Sequence, residues 1–375
     1  MNERQRYLET ILFGKPDKVP FAPGGPREST FANWHKQGLP EGVDWFAYLR
    51  EQIGIERAQP GGPGVWIKHT MIPEFEEKVI EERAESLVVQ DWKGNICEIS
   101  KRFDVSYLRG ARDFVTRKWI KCPVESWEDW EQMKLRYDPD DPSRVPADMP
   151  ELGRQLASRD WPVRVHVHGP FWQLREWLGF EGLCMMFLDD PDLVRDMISF
   201  WTDYISKLLT KVVPYVDLDC FHISEDMAYK QKAMISPEMT REFLGPCYGQ
   251  WNEIIRSHGC PIFDVDSDGF IGELIPVWMH FGVNACDPVE VAAGNDINEF
   301  RKAFGRKMAY SGGVDKRAIA RGGQAIQDEI ARIEPVVRDG GHIPGCDHGI
   351  PNDVTWPRMI EYCELVARIT GWKNG

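Results

Sequence analysis

Short apolar runs, each closed by polar or glycine turn residues, recur along the second half of the chain. They cover 163–168, 216–223, 261–265, 282–286, 307–310 and 341–344. Helical stretches such as 191–212 and 324–338 lie between them, and Asp190 and Pro191 form a good start signal for the first. Strands that alternate with helices predict βα units around a parallel sheet.

The number of these units favours a closed barrel. The six runs, a further run at 19–22 and one strand that the pattern does not locate would complete an eight-stranded (β/α)8 TIM barrel, as a single domain over residues 1–375. An open, doubly wound sheet is the alternative. The sequence has neither the Gly-x-Gly-x-x-Gly nor the Gly-x-x-x-x-Gly-Lys-Ser/Thr loop that would support it.

One segment in the N-terminal third breaks the βα pattern. Between about residues 70 and 120, short alternating runs flank the turn Lys93-Gly94-Asn95. Such runs around a two- or three-residue polar turn indicate a hairpin. The sequence therefore predicts an antiparallel insertion.

Composition narrows the class of protein. The formal net charge of −14 argues against nucleic acid as a partner, because phosphate contacts need a basic surface. No apolar run approaches the roughly 20 residues of a membrane span, and no secretory signal follows Met1. Nine cysteines without a Cys-x-x-Cys pair indicate reduced thiols and a cytoplasmic protein. The 15 tryptophans indicate either large core residues or a pocket walled by aromatic rings.

The predicted strands end in residues that titrate or coordinate. Catalytic groups of (β/α)8 barrels lie at this end of the strands. Asp264 and Asp266 alternate on one strand face, which suits metal binding or proton transfer, although an aspartate there can also cap the next helix. The strand-end residues are His166, His168, His222, Glu225, Asp264, Asp266, Asp268, Asp287, Asp315, Cys346, Asp347 and His348.

The last predicted strand loop offers a thiol, a carboxylate and an imidazole in succession, Cys346-Asp347-His348. A zinc site that combines these with the acidic pair is chemically reasonable. For Cys346 the alternative is a small buried apolar residue. His166 and His168 are equally compatible with satisfied core histidines.

Several motifs follow one another in a specific order between Arg4 and Trp372. They are Arg6-Tyr7-Leu8 with Gly14-Lys15-Pro16-Asp17-Lys18-Val19-Pro20, Glu225-Asp226-Met227-Ala228-Tyr229-Lys230, Ile235-Ser236-Pro237, Asp266-Ser267-Asp268-Gly269, Gly312-Gly313-Val314-Asp315-Lys316 and Gly340-Gly341-His342-Ile343-Pro344 with Asp347-His348. Their order and spacing resemble the uroporphyrinogen decarboxylase superfamily. That family is a (β/α)8 barrel, in agreement with the strand pattern.

The resemblance implies one of two chemistries. Decarboxylases of the family grip a porphyrinogen through an arginine-rich N-terminal segment, but here the matching stretch 21–28 holds only Arg27. The other branch comprises corrinoid-dependent methyltransferases, which bind zinc through a His-x-Cys pair and a Cys on the last strand. Asp264 and Asp266 correspond to the pair and His348 to the last Cys. The resemblance thus implies a zinc site from Glu225, Asp264, Asp266, His348 and Cys346, with Asp266, His348 and Glu225 catalytic.

Oxygen and nitrogen ligands suit an oxygen-bearing substrate, so the expected reaction is O-demethylation of a methoxylated aromatic. The chain lacks the Asp-x-His-x-x-Gly motif of cobalamin-binding modules, so the corrinoid would arrive on a partner protein. The alternatives are a porphyrinogen-type decarboxylase and a non-catalytic barrel that binds a tetrapyrrole. The expected substrate-binding residues are Trp34, Trp66, His168, Trp172, His222, Tyr229 and Trp356.

Overall fold

The computed structural model describes residues 1–59, 61–110 and 115–374, which contain two sheets. One is antiparallel, with the strand order β1-β2-β3-β4, and the other is parallel, with the order β10-β9-β8-β7-β6-β5. The strands are β1 (Lys78–Glu82), β2 (Ser86–Gln90), β3 (Ile96–Ser100), β4 (Lys118–Lys121), β5 (Arg164–His168), β6 (Cys220–Ser224), β7 (Ile262–Asp266), β8 (Ala285–Asp287), β9 (Ala309–Val314) and β10 (His342–Cys346).

Helices follow the strands of the parallel sheet and also occupy the N-terminal region. A π-helical turn, Thr240–Leu244, joins α10 to α11. None of the helices in the described residues combines the length and apolar character needed to cross a membrane. The helices are α1 (Glu3–Ile11), α2 (Glu28–Lys36), α3 (Trp45–Gln52), α4 (Tyr107–Gly110), α5 (Trp127–Lys134), α6 (Met149–Leu156), α7 (Pro170–Leu178), α8 (Phe180–Asp189), α9 (Pro191–Thr210), α10 (Pro237–Met239), α11 (Gly245–Ser257), α12 (Ile275–His280), α13 (Ile297–Phe304), α14 (Lys316–Arg321), α15 (Gln324–Asp339) and α16 (Trp356–Ile369).

Each of the six predicted apolar runs overlaps one strand of the parallel sheet, which confirms the α/β barrel class. In β5, Val165 and Val167 are fully buried, whereas the alternate residue His166 is open to solvent. Residues that are paired across neighbouring strands have their side chains on the same face of the sheet. His166 and its paired residue His222 therefore lie on the face opposite to Val165 and Val167. Asp190 caps α9 by accepting a hydrogen bond from the Leu193 amide at 3.1 Å, as the sequence predicts.

Extended segments without a continuous hydrogen-bond ladder flank both edges of the parallel sheet. The stretch 19–26 runs beside β10, where the Pro23 carbonyl accepts from the Cys346 amide at 3.0 Å. The predicted first strand, 19–22, is therefore extended chain rather than a regular strand, because the prolines in this stretch have no N–H to donate. At the other edge the stretch 65–71 lies against β5, with the His69 and His168 rings 4.5 Å apart.

The predicted antiparallel insertion is confirmed as the sheet β1 to β4. Its central turn is held by Asp91, whose Oδ1 accepts from the backbone amides of Lys93 and Asn95 at 3.0 and 2.9 Å. The sheet has its own apolar cluster, separate from the main core. It contacts the barrel through an ion pair between Lys93 and Glu176 of α7.

One buried arginine ties the chain on the two sides of this insertion together. Arg144 is fully buried, and its guanidinium donates to the backbone carbonyls of Lys68 and Thr70, before the insertion, and of Arg136 and Asp138, after it. Four carbonyls thereby share one donor group, which leaves none of them unpaired in the core.

Replacement of this arginine should therefore be costly. We expect Arg144→Met to lower the free energy of unfolding by about 3 kcal/mol or more, because the buried guanidinium and its hydrogen bonds to four backbone carbonyls would be lost. Arg154→Met is the matched control, since Arg154 is exposed and pairs with the half-exposed Glu151 on α6, and should change stability by no more than about 0.5 kcal/mol. Denaturant unfolding of both variants measures the difference, and equal losses would contradict the assigned role of Arg144.

Candidate functional site

The register of strands β5 to β8 brings their polar side chains together on one face of the parallel sheet. At one level His166, His222 and Asp264 stand side by side, and at the next level Ser224, Asp266 and Asp287 do so. Because these strands are parallel and adjacent, residues that are some 20 to 60 positions apart in sequence become neighbours.

The tightest group at these levels is His222, Asp264 and Asp287. His222 Nδ1 lies 3.0 Å from Asp264 Oδ2. One ligand atom from each of the three residues lies within 4.8 Å of the others, a combination of imidazole nitrogen and carboxylate oxygen that fits zinc. The Oδ1 atom of Asp287 is buried and has no hydrogen-bond partner in the described part of the chain.

The charges of this group are strongly perturbed. Burial lowers the pKa of His222, but the hydrogen bond and negative charge of Asp264 outweigh it and raise the pKa to about 9. Burial, reinforced by the charge of Asp264, raises the pKa of Asp287 well above its usual value. Without a metal, protons on His222 and Asp287 compensate the buried negative charge.

A second group forms a hydrogen-bonded chain beside the first. Ser224 Oγ donates to Asp266 Oδ2 at 3.0 Å and lies 2.9 Å from His166 Nε2. Because its one proton goes to Asp266, Ser224 must accept from His166. Burial, reinforced by the Asp226 charge, raises the pKa of Asp266 to about 6, and burial lowers that of His166 to about 4.

Glu225 lies just beyond β6 and is committed to other contacts. One carboxylate oxygen accepts from the Tyr248 hydroxyl and the other from the Trp172 amide, at 3.0 Å, in the first turn of α7. Its carboxyl group is fully buried, and burial raises its pKa to about 7. The structure therefore does not bring Glu225 into the His222 group, and a ligand role for it stays a prediction.

His348 and Cys346, the other residues predicted for the metal, also lie apart from that group. His348 bridges two loops at the carboxyl ends of the strands, with Nε2 3.2 Å from Asp268 Oδ2 and Nδ1 3.2 Å from an Arg27 nitrogen. The hydrogen bond that His348 donates to Asp268 raises the pKa of His348. Burial raises the pKa of Cys346 to about 12, which disfavours the thiolate that metals bind.

The residues predicted to bind substrate occupy three environments. Trp34 and Trp356 are buried in the core, with their rings 5.2 Å apart. Trp66 and Tyr229 are 49% and 52% exposed. His168 and Trp172 lie next to each other above β5, 5.4 Å between ring centroids, and with His222 they are the predicted binding residues closest to the polar strand levels.

Two residues of this site are among the strand-end residues of the sequence pattern, but the sequence does not assign them to the metal site. Asp287 ends β8 and His166 lies on β5, so both carry the strand-end signal. Neither has a recognisable partner nearby in sequence, because their partners lie on adjacent strands.

The raised pKa of the Glu225 carboxyl group predicts that the folding stability depends on pH. The unfolded chain releases its proton near pH 4.5, whereas the folded protein holds it to about pH 7, so folding stability decreases as the pH rises between these values. Glu225→Gln lacks this proton. The stability of the variant relative to wild type should therefore increase by about 3 kcal/mol between pH 4.5 and pH 8, measured by denaturant unfolding. The same difference at both pH values would contradict it.

Comparisons with known proteins identify the family of this chain and solved structures that are similar to it. A methyltransferase from Methanosarcina mazei aligns over 99% of this chain and 98% of its own, with a TM-score of 0.59 and 15% identity. A B12-independent methionine synthase from Shewanella sp. W3-18-1 aligns over 60% of this chain and 67% of its own, at 12% identity and a TM-score of 0.35. No curated protein matches the sequence. The uroporphyrinogen decarboxylase (URO-D) family model matches residues 117–369, and the chain belongs to this family.

Proposed function

We propose that this protein is a zinc-dependent methyltransferase. It would move a methyl group from a small donor, a methoxylated aromatic, to the Co(I) corrinoid of a partner protein in the cytoplasm. The observation that carries the proposal is the group His222, Asp264 and Asp287, in which a carboxylate oxygen is buried without a partner. A buried carboxylate oxygen that nothing satisfies is rare in proteins and indicates a missing ligand.

The donor set supports zinc in particular. Zinc accepts imidazole nitrogen and carboxylate oxygen, and catalytic zinc sites combine three protein ligands with an open position. Two aspartates beside one histidine supply charge that balances a divalent cation. Without a metal, His222 is the cation beside Asp264, and burial raises the pKa of Asp287 well above its usual value.

This ligand set revises the one expected from the sequence while keeping Asp264. Asp266 is hydrogen-bonded to Ser224, and Glu225 to Tyr248 and Trp172. We therefore assign Asp266 and Glu225 the role of positioning neighbouring residues rather than ligating the metal.

The protein's own residues would bind and orient the donor. When bound, zinc supplies a Lewis acid for the ether oxygen of a methoxyarene. Trp172 lies against His168 and beneath the Arg175 guanidinium, which is 4.6 Å from its ring, and so offers a flat wall near the polar levels. The half-exposed Tyr229 lies on the loop after β6 and is our choice for a contact at the rim.

Porphyrinogen decarboxylation is the second candidate, because the family model carries that name. The stretch 21–28 has only Arg27 to hold the substrate's carboxylates, and the structure places Arg27 against His348. A net charge of −14 further disfavours a polyanionic substrate.

The metal centre is tested by comparing the two ligand sets. His222→Ala and Asp287→Asn should each weaken zinc binding at least tenfold, because even the loss of outer contacts has effects of this size. Asp268→Asn, at the next strand-end position but outside the group, is the matched control and should bind zinc as wild type does. Chelator competition measures the affinities. If instead His348→Ala and Asp266→Asn lose zinc while His222→Ala retains it, the set expected from the sequence is correct.

The reaction is tested with zinc-loaded protein, a methoxyarene and reduced cobalamin. We expect formation of the phenol together with methylcobalamin, and binding without methyl release when cobalamin is omitted. His222→Ala should abolish transfer. Full-speed demethylation without a corrinoid would refute the acceptor. Turnover of uroporphyrinogen at about 1 per second or faster would establish the decarboxylase instead.

A further inference from the structure

His166 stands next to the proposed metal group and is not used by it. It pairs with His222 across the β5–β6 ladder, and the two ring centroids are 5.2 Å apart. Two imidazoles bound to one tetrahedral zinc have ring centroids about 5 Å apart, given metal–nitrogen bonds of about 2.1 Å. The separation of the two rings is therefore compatible with one metal between them, although the ligand atoms of His166 lie outside the 4.8 Å group and its side chain would have to move towards it.

The hydrogen bonds of His166 leave the correct nitrogen free. Ser224 Oγ donates its proton to Asp266, so the Nε2 of His166 must carry hydrogen and donate to Ser224. This fixes the tautomer and leaves Nδ1 with a lone pair and no hydrogen-bond partner among the described residues. Metal-binding histidines are held in this way, with one ring nitrogen donating to an outer acceptor and the other on the metal.

His166 also faces open space. Its side chain is accessible to solvent although it lies on a strand whose alternate residues, Val165 and Val167, are fully buried. The rings of His69, His168 and His222 surround it at 6.0, 6.2 and 5.2 Å between centroids, and His222 connects it to the metal group.

We propose that His166 is a fourth protein ligand of the metal, through Nδ1, with Ser224 and Asp266 as the chain that holds its tautomer. The inference rests on the metal site of the proposed function. It adds a ligand on β5, so that His166, His222, Asp264 and Asp287 bind from four consecutive strands, β5 to β8. Two imidazoles and two carboxylates give a donor set that retains zinc and leaves room for a donor oxygen only by ligand exchange or a fifth position.

The test counts imidazoles on the metal. Wild-type protein is loaded with zinc and studied by X-ray absorption, and its Co(II) form is studied by visible absorption. Wild type should show two imidazoles, and His166→Ala and His166→Gln should each show one, with a changed cobalt spectrum and at least tenfold weaker zinc binding. His168→Gln, the next inward residue on the same strand, is the matched control and should keep two.

The outer chain is tested by Ser224→Ala and Ser224→Thr. The alanine variant should weaken zinc binding by about tenfold while keeping the imidazole count, and threonine, which retains the hydroxyl, should restore it. Thermal unfolding of the metal-free variants checks that each is folded.

The outcomes separate this inference from the proposed function. If wild type shows one imidazole, or His166→Ala keeps two, the role of His166 is refuted while the group of three stands. If His222→Ala leaves the metal unchanged, the site itself is wrong. A two-imidazole centre in a protein that transfers no methyl group would refute the proposed function and leave His166 in place.

Discussion

Buried carboxylates need a compensating positive charge, and this requirement governs the interior of the barrel. Asp264 and Asp287 lie on the neighbouring strands β7 and β8, one pairing level apart on the same face, in surroundings that penalise charge. His222 donates a hydrogen bond to Asp264 and becomes the nearest cation, which is why its pKa is raised to about 9 rather than lowered by burial. The proton on His222 and a bound divalent metal are therefore alternative ways to balance the charge of these carboxylates.

The surrounding residues hold this position in place. Asp266 is satisfied through Ser224, and Glu225 fixes the first turn of α7 through the Trp172 amide. Asp266 and Glu225 thus orient their neighbours through hydrogen bonds, whereas Asp287 keeps one buried oxygen without a partner among the described residues.

Much of the fold could be predicted from the sequence because its signals are local. The turn around Gly94 and the cap at Asp190 each depend on a few consecutive residues. The stretch 19–22 was predicted as a strand because it is apolar, but the adjacent prolines prevent a continuous ladder. The segment 65–71 was not located from the sequence, although its apolar Val65, Ile67 and Met71 alternate with exposed positions, and it packs on β5.

The site could be predicted only in part, since its composition depends on strand register. Residues at strand ends are visible in the sequence, Asp287 and His166 among them. Which of them meet is decided by pairing across strands, for example Asp266 opposite Asp287 and His222 opposite Asp264. Burial also separates candidate residues from the polar strand levels, since Cys346 and Trp34 lie within the core.

The contacts of Arg144 have a consequence for how much the length of the insertion could change. The insertion begins near Thr70 and is followed by α5, which packs on the main core, before the chain reaches Arg136; Thr70 and Arg136 both accept from the same guanidinium. The span between them begins and ends at one fixed point, so a longer or shorter insertion would leave the barrel strands undisturbed. The sheet β1 to β4, with an apolar cluster of its own, is thus a module whose length could change while the contacts of Arg144 stay in place.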